Sequence, residues 1–177
     1  MRALSIISGP PGAGKSTTAD RLVAASNNGV HIRADDFWHF IHTGYLEPWR
    51  EEAAAQNAVV MCAIAQGAAC FAAGGYDAVV DGVIGPWFLD PFVAAAGSSD
   101  LVLNYLVLRP SLEVTLRRAV GRAGGALRGD EPVRKMYVAF SELGDLEARV
   151  IDTSDLTPNE TASLVHAGLS EGRFRLQ

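Results

Sequence analysis

A glycine-rich stretch near the amino terminus constrains the fold more than any other part of the sequence. Residues 8–17 read SGPPGAGKST, after a short apolar run at 3–8 and at the start of a helical pattern at 15–25. A strand, a loop of the form G-x-x-x-x-G-K-[S/T] and a helix, in that order, are typical of a phosphate-binding loop. The glycines let backbone amides approach phosphate oxygens, and the helix N-terminus adds partial positive charge. The stretch therefore predicts a nucleoside triphosphate site.

The loop also predicts a role for its residues. Lys15 is expected to reach the β and γ phosphates, and Ser16 to bind Mg²⁺ with Thr17 as the next hydroxyl. The alternative, a glycine turn that only joins strand to helix, needs no Lys-Ser-Thr after it. ATP is the expected nucleotide because the sequence has no Asn-Lys-x-Asp string to read guanine. The predicted nucleotide-binding residues are Gly9, Pro10, Pro11, Gly12, Ala13, Gly14, Lys15, Ser16 and Thr17.

Short apolar runs alternate with helical patterns along the whole chain. Strands are predicted at 3–8, 30–33, 77–82, 101–108 and 148–152. Helices are predicted at 15–25, 51–73, 86–96, 111–121 and 132–143, and a last one is capped by Thr157 with Pro158 and Glu160 in its first turn. This alternation predicts an α/β protein with a five-stranded parallel sheet and helices on both faces. Together with the loop, it predicts a three-layer P-loop NTPase fold in a single domain over residues 1–177.

Composition excludes several classes of protein. The formal net charge is −5 with 15 Lys and Arg, which is not typical of non-specific nucleic-acid binding, and 49% of the residues are hydrophobic. The start of the chain has an apolar run too short for a signal peptide, and no run of about 18 apolar residues predicts a membrane span. We therefore expect a cytoplasmic protein with no membrane partner. Cys62 and Cys70 lie in an Ala-rich helical stretch, too far apart for a disulfide, and are expected to be small core residues.

An aspartate follows the third predicted strand. Asp81 comes after an apolar run, where a carboxylate can hold Mg²⁺ directly or through water. The alternative is a turn residue that ends the strand. Gly82 follows it and has no side chain to orient an attacking water, so a substrate hydroxyl is the expected nucleophile.

Two adjacent aspartates follow the second predicted strand, in the stretch RADDF. The carboxyl ends of parallel strands meet at one edge of a sheet, so Asp35 is expected across from the phosphate loop. There it could orient an attacking hydroxyl and accept its proton. Asp36 suits the N-cap of a short helix, although the sequence leaves open which of the two aspartates is the base. The alternative is that both residues only cap and turn the chain.

GPPGAGKST followed by RADDF resembles the P-loop kinases that include phage-type polynucleotide kinase, the zeta toxins and chloramphenicol phosphotransferase. The resemblance implies ATP-dependent phosphorylation of a hydroxyl, with Asp35 matching the general base of that group. Polynucleotide kinases tend to carry a basic residue where this chain has Trp38 and His39. A small-molecule acceptor is therefore favoured over a nucleic-acid 5′-hydroxyl. The resemblance also implies an adenine near Thr153 and Ser154.

Basic residues gather in the second half of this acidic chain, and Arg118 and Arg122 share a helix face at i and i+4. In the resembled kinases a lid in this region supplies arginines to the transferring phosphoryl group, which implies an Arg-rich lid at about 118–132. Arg118 and Arg122 are the first candidates and Arg128 the next, whereas a solvated helix face is the alternative. The residues concerned are Arg109, Arg117, Arg118, Arg122, Arg128, Arg134 and Lys135.

No motif in the sequence identifies the acceptor. Aromatic residues after Asp35 and Asp81 could line an acceptor pocket, although each is individually more typical of a core. The second function that the sequence allows is a nucleotide-dependent binding module that hydrolyses ATP slowly or not at all. The aromatic and histidine candidates are Trp38, His39, His42, Tyr45, Trp49, Trp87 and Phe88.

Overall fold

A parallel sheet forms the centre of the protein, which is described by a computed structural model over residues 2–120 and 130–176. The strand order is β2-β3-β1-β4-β5, and each neighbouring pair is parallel. The predicted five-stranded parallel sheet is confirmed. The last strand is shorter than predicted, because residues 148 and 149 belong to a 3₁₀ turn. The strands are β1 (Ala3–Ser8), β2 (Gly29–Arg33), β3 (Asp77–Asp81), β4 (Val102–Leu108) and β5 (Val150–Ile151).

Helices join the strands, and most lie near their predicted positions. The exceptions are the short helix after β2, which begins at Ala34 although Asp36 was expected to be its N-cap, and the sixth helix, which ends five residues earlier than expected. The predicted lid lies mostly at 121–129, outside the described residues. The helices are α1 (Lys15–Ala24), α2 (Ala34–Trp38), α3 (Ala54–Ala73), α4 (Asp90–Ser98), α5 (Leu112–Val120), α6 (Asp130–Val138) and α7 (Pro158–Ser170).

Strand side chains alternate between two apolar cores, one on each face of the sheet. On β1, Leu4 and Ile6 pack into the core under α3 and α4, whereas Ile7 packs into the core under α1 and α7. On β3, Val80 and Val79 divide in the same way. Successive strand residues point to opposite faces, so this division follows from backbone geometry. Helices on both faces of the sheet are therefore confirmed.

The long helix α3 is apolar on all sides, which makes its buried face hard to read from sequence. Met61 and Ile64 are buried against the sheet, whereas Cys62 and Cys70 are exposed. The expectation that both cysteines are core residues is wrong, because they lie on the outer face of the helix. Within the described ranges, one segment, Glu51–Ala73, is long and apolar enough to cross a membrane by length and composition alone. The core helix of a soluble protein meets the same test.

The capping box at the start of α7 is confirmed. Thr157 Oγ1 accepts a hydrogen bond from the Glu160 N–H at 3.3 Å, and the Glu160 carboxylate accepts one from the Thr157 N–H at 2.8 Å. Hydrogen bonds from the Thr157 hydroxyl and N–H hold the pKa of Glu160 below its usual value. The box satisfies two backbone donors that a helix N-terminus otherwise leaves without partners.

We expect Thr157→Ala to lower the free energy of unfolding by about 1 kcal/mol, because the first turn of α7 loses its side-chain acceptor. Urea unfolding followed by circular dichroism measures the change. Ser163→Ala is the matched control: Ser163 is an exposed residue further along the same helix. Equal stability of the parent and Thr157→Ala would show that the cap contributes nothing.

Candidate active site

The glycine-rich loop leaves the end of the central strand β1 and enters α1 in a conformation that requires glycine. Gly9, Gly12 and Gly14 have φ angles of 137°, 85° and 96°. A Cβ on Gly9 would lie 2.1 Å from the carbonyl oxygen of Leu108, so the loop packs directly on the end of β4. Gly14 precedes α1 without a side-chain cap, which leaves the first amides of that helix available to an anion. The geometry fits the predicted phosphate-binding loop.

Lys15 is folded over this loop. Its side chain is 7% exposed, and Nζ donates a hydrogen bond to the carbonyl oxygen of Pro10 at 3.0 Å. The ammonium group therefore lies against the backbone of the loop. Its reach to the β and γ phosphates stays a prediction.

The side chains of Ser16 and Asp81 form a hydrogen bond next to the glycine-rich loop. Asp81 ends β3 in register with Ile7 of β1, and Asp81 Oδ2 accepts a hydrogen bond from Ser16 Oγ at 2.6 Å. Both side chains offer the oxygen ligands that Mg²⁺ prefers. Among the described residues, no group of three or more His, Cys, Asp or Glu could hold a metal by itself.

A histidine that sequence reasoning missed lies against Asp81. His31 Nε2 is 2.7 Å from Asp81 Oδ1, and His31 Nδ1 is 2.8 Å from Asp20 Oδ1. Each ring nitrogen therefore lies within hydrogen-bonding distance of a carboxylate oxygen. Burial acts to lower the pKa of His31, but the hydrogen bonds to Asp81 and Asp20 outweigh it and raise the pKa above its usual value.

The same contacts act on the aspartate in the opposite sense. Burial acts to raise the pKa of Asp81, while hydrogen bonds from His31 and Ser16 and the nearby charge of Lys15 bring it below its usual value. Asp81 is therefore an ionised carboxylate although it is only 5% exposed. The signal that could have revealed His31 is its place as a polar residue inside a strand, at alternate spacing with Arg33.

Asp35 and Asp36 lie in the first turn of α2, and both are exposed. The expectation that Asp36 is an N-cap is wrong, because the helix begins two residues earlier and Arg33 precedes it. A Cβ on Gly82 would lie 2.6 Å from the Cβ of Ala34, so α2 starts in close contact with the end of β3. Within the described part of the chain, the carboxylate of Asp35 has no hydrogen-bond or ion-pair partner. Its proposed role as base stays a prediction.

The arginines of the basic segment have different surroundings. Arg118 donates a hydrogen bond to the carbonyl oxygen of Thr153 at 3.2 Å, beside a cleft of about 300 Å³ that also includes Gly12, Gly14 and Thr17. Arg109 forms two 2.8 Å hydrogen bonds with the carboxylate of Glu147, which is a structural contact. Arg122 and Arg128 lie outside the described residues. The phosphate contacts of Arg118 and Arg122 stay predictions.

Aromatic residues near Asp35 divide between core and surface. Trp38 is 8% exposed and donates from Nε1 to Asn57 Oδ1 at 3.0 Å, so it belongs to the core. An uncharged, almost wholly apolar groove of about 470 Å³ lies between α2 and α3. Its lining includes Phe37, Phe40, Ile41, Val59 and Val60.

A phosphate-binding loop after the central strand of a parallel β2-β3-β1-β4-β5 sheet, with a serine and an aspartate paired below it, defines a P-loop NTPase fold. Residues 6–134 match the family model described as AAA domain, and the chain belongs to this family. The comparison with curated proteins gave no match.

Solved structures of similar fold include several kinases. The tunicamycin resistance protein of Deinococcus radiodurans is 17% identical, with a TM-score of 0.69 over 95% of this chain and 96% of that one. A gluconokinase from Sinorhizobium meliloti is 16% identical, with a TM-score of 0.69 over 97% and 94%. A sugar kinase from Janibacter sp. is 15% identical, with a TM-score of 0.72 over 96% and 95%. These similarities establish a shared fold of P-loop kinase type.

We expect Gly82→Ala to lower the free energy of unfolding by about 1–3 kcal/mol, because its methyl group would overlap Ala34 and push α2 away from β3. Gly97→Ala is the matched control, since a Cβ there meets nothing within 4 Å and Gly97 lies in the regular helix α4. Chemical unfolding of both variants measures the difference. Equal effects of the two substitutions would contradict the close contact between α2 and β3.

Proposed function

We propose that this protein is an ATP-dependent kinase that transfers the γ-phosphate of ATP to a hydroxyl group of a small molecule, as a single domain over residues 1–177. The observation that carries the proposal is the 2.6 Å pair of Ser16 and Asp81 directly below the glycine-rich loop. A loop alone binds phosphate, whereas a hydroxyl and an ionised carboxylate at its base also suit the cation that accompanies a nucleoside triphosphate. We place the protein in the cytoplasm, where ATP and Mg²⁺ are available.

The nucleotide binds through the amides of residues 9–17, with Lys15 on the β and γ phosphates and Ser16 and Asp81 toward Mg²⁺. When bound, Mg²⁺ supplies positive charge to the phosphate oxygens. The cleft between the loop and the start of α7 is large enough for part of a nucleotide, and Arg118 and Thr153 line it. The base and ribose are assigned to this cleft. No Asn-Lys-x-Asp string favours guanine, so ATP is the proposed substrate.

The acceptor side is assigned to α2. Asp35 lies at its start, and the packing of Ala34 on Gly82 holds that start against the strand that carries Asp81. An exposed carboxylate without an ion-pair partner in the described residues can orient an attacking hydroxyl and accept its proton. Lys15, Arg118 and Arg122 then stabilise the charge on the transferring phosphoryl group.

A small molecule is the favoured acceptor. The chain is acidic overall, and the groove beside α2 is apolar and uncharged, which does not suit the backbone of a nucleic acid. Gluconokinase and sugar kinase, two proteins of similar fold, are named for small hydroxylated substrates. The nucleic-acid 5′-hydroxyl remains the less favoured acceptor.

The nucleotide-dependent binding module is the second candidate. The observation that favours it is the Asp35 side chain, because no hydrogen-bond or ion-pair partner in residues 2–120 and 130–176 orients it for catalysis. Incubation with γ-labelled ATP, Mg²⁺ and separate panels of sugars, hydroxylated antibiotics and RNA with 5′-hydroxyls distinguishes the two. A kinase transfers label to one panel, and that acceptor accelerates ATP consumption. A binding module yields no labelled acceptor and instead changes its affinity for a partner between ATP and ADP.

We expect Asp35→Asn to lower kcat by a factor of about 10²–10⁴, with little change in the KM for ATP, because the amide cannot accept the proton of the attacking hydroxyl. Asp36→Asn, one residue along the same helical turn, is the matched control and should retain most of the activity. The assay uses the acceptor found in the labelling experiment. If Asp36→Asn loses activity and Asp35→Asn keeps it, the base is Asp36 instead.

We expect Lys15→Met to bind ATP with strongly reduced affinity while it remains folded, because a side chain of similar length replaces the ammonium group that faces the phosphates. Equilibrium binding of a fluorescent ATP analogue, together with thermal unfolding without nucleotide, separates these effects. Unchanged nucleotide affinity would place the phosphates elsewhere.

A further inference from the structure

The ring of His31 bridges two acidic side chains from different elements. It lies on β2, with Asp81 at the end of β3 on one side and Asp20 of α1 on the other, at 2.7 and 2.8 Å. The side chains of His31 and Asp81 are 9% and 6% exposed, whereas that of Asp20 is 53% exposed. The bridge therefore connects a buried carboxylate beneath the phosphate loop to a carboxylate at the surface.

The position of His31 within the sheet would suit an apolar residue. His31 pairs in register with Val79, which belongs to the core beneath α1 and α7. Residues in register on parallel strands point to the same face, so an aliphatic side chain at position 31 would extend that core. A largely buried polar ring is stable there because both nitrogens have hydrogen-bond partners. Core packing alone does not explain this residue.

The contacts of Asp81 show what the ring does. Ser16 donates to Oδ2 at 2.6 Å and His31 donates to Oδ1 at 2.7 Å, so both carboxylate oxygens are held and the plane of the group is fixed. Because His31 occupies Oδ1, the Asp81 oxygen on the side of the phosphate loop is Oδ2, which is bonded to the Ser16 hydroxyl. A carboxylate held by a single hydrogen bond could rotate away from that arrangement.

We propose that His31, anchored by Asp20, is a positioning residue that orients Asp81 toward the Mg²⁺ of the bound nucleotide. The inference rests on the nucleotide binding set out under Proposed function, but not on transfer to an acceptor. Hydrogen-bond partners of metal ligands commonly affect metal affinity by about 10–100-fold.

Two substitutions separate the two contacts of the ring. The side-chain nitrogen of Gln reaches about as far as Nε2 of His, whereas that of Asn reaches about as far as Nδ1. His31→Gln therefore keeps a donor for Asp81, and His31→Asn keeps one for Asp20 only. Both remove the aromatic ring and one of its two contacts, so their difference shows whether the contact with Asp81 matters more than the contact with Asp20.

The experiment measures how strongly Mg²⁺ increases the affinity for a fluorescent, non-hydrolysable ATP analogue. The dissociation constant is determined in EDTA and in saturating Mg²⁺ for the parent and each variant, and the ratio gives the coupling between metal and nucleotide. We expect His31→Asn to reduce this ratio about tenfold, with the constant in EDTA unchanged. His31→Gln should stay within about threefold of the parent. Thermal unfolding without nucleotide checks that each variant is folded.

Asp20→Ala tests the anchor at an exposed position and keeps the proposal testable if His31→Asn does not fold. It should reduce the ratio by a smaller factor, about twofold to fivefold. Equal ratios for the parent, His31→Asn and Asp20→Ala would overturn the proposal, as would equal losses in His31→Gln and His31→Asn. If the parent binds no nucleotide in either condition, nucleotide binding itself fails, and both proposals fall. If the parent binds the nucleotide but phosphorylates no acceptor, the kinase proposal fails, whereas the measured ratios still test the proposal for His31.

Discussion

The hydrogen bond between Ser16 and Asp81 is the contact on which the rest of the site depends. It joins the first turn of α1 to the end of β3, and it forms because β1 and β3 are parallel neighbours with Ile7 and Asp81 in register. The loop that leaves β1 therefore starts beside the carboxylate that ends β3. An antiparallel pairing or a shift of the strand would separate the two groups. The register of the sheet therefore determines which side chains meet at the site.

Close backbone packing around this contact explains two glycines. Gly9 lets the loop lie against the end of β4, and Gly82 lets α2 begin against the end of β3. These close approaches hold the glycine-rich loop, helix α2 and the carboxylates of Asp35 and Asp81 near one edge of the sheet.

Polar groups are buried beneath the loop at a cost that their mutual bonding offsets. His31 and Asp81 together would be unstable in an apolar core if either lacked its partner, because an uncompensated charge loses its hydration. Removal of one member is therefore expected to disturb the others, and the effects of substitutions at Ser16, His31 and Asp81 are not expected to add. The surface carboxylate of Asp20 completes the network from the side open to solvent.

The sequence by itself determined the phosphate loop, the order of strands and helices, the capping box at Thr157 and the placement of Asp81, because each depends on local conformation or on periodicity. Tertiary structure decided the rest. The partners of His31 lie on another strand and on a helix, the start of α2 depends on a contact with Gly82, and the inner face of α3 cannot be read from a helix that is apolar on all sides. These features depend on which segments become neighbours in the fold. The order and register of the strands determine those neighbours, and neither leaves a signal within a single segment of the sequence.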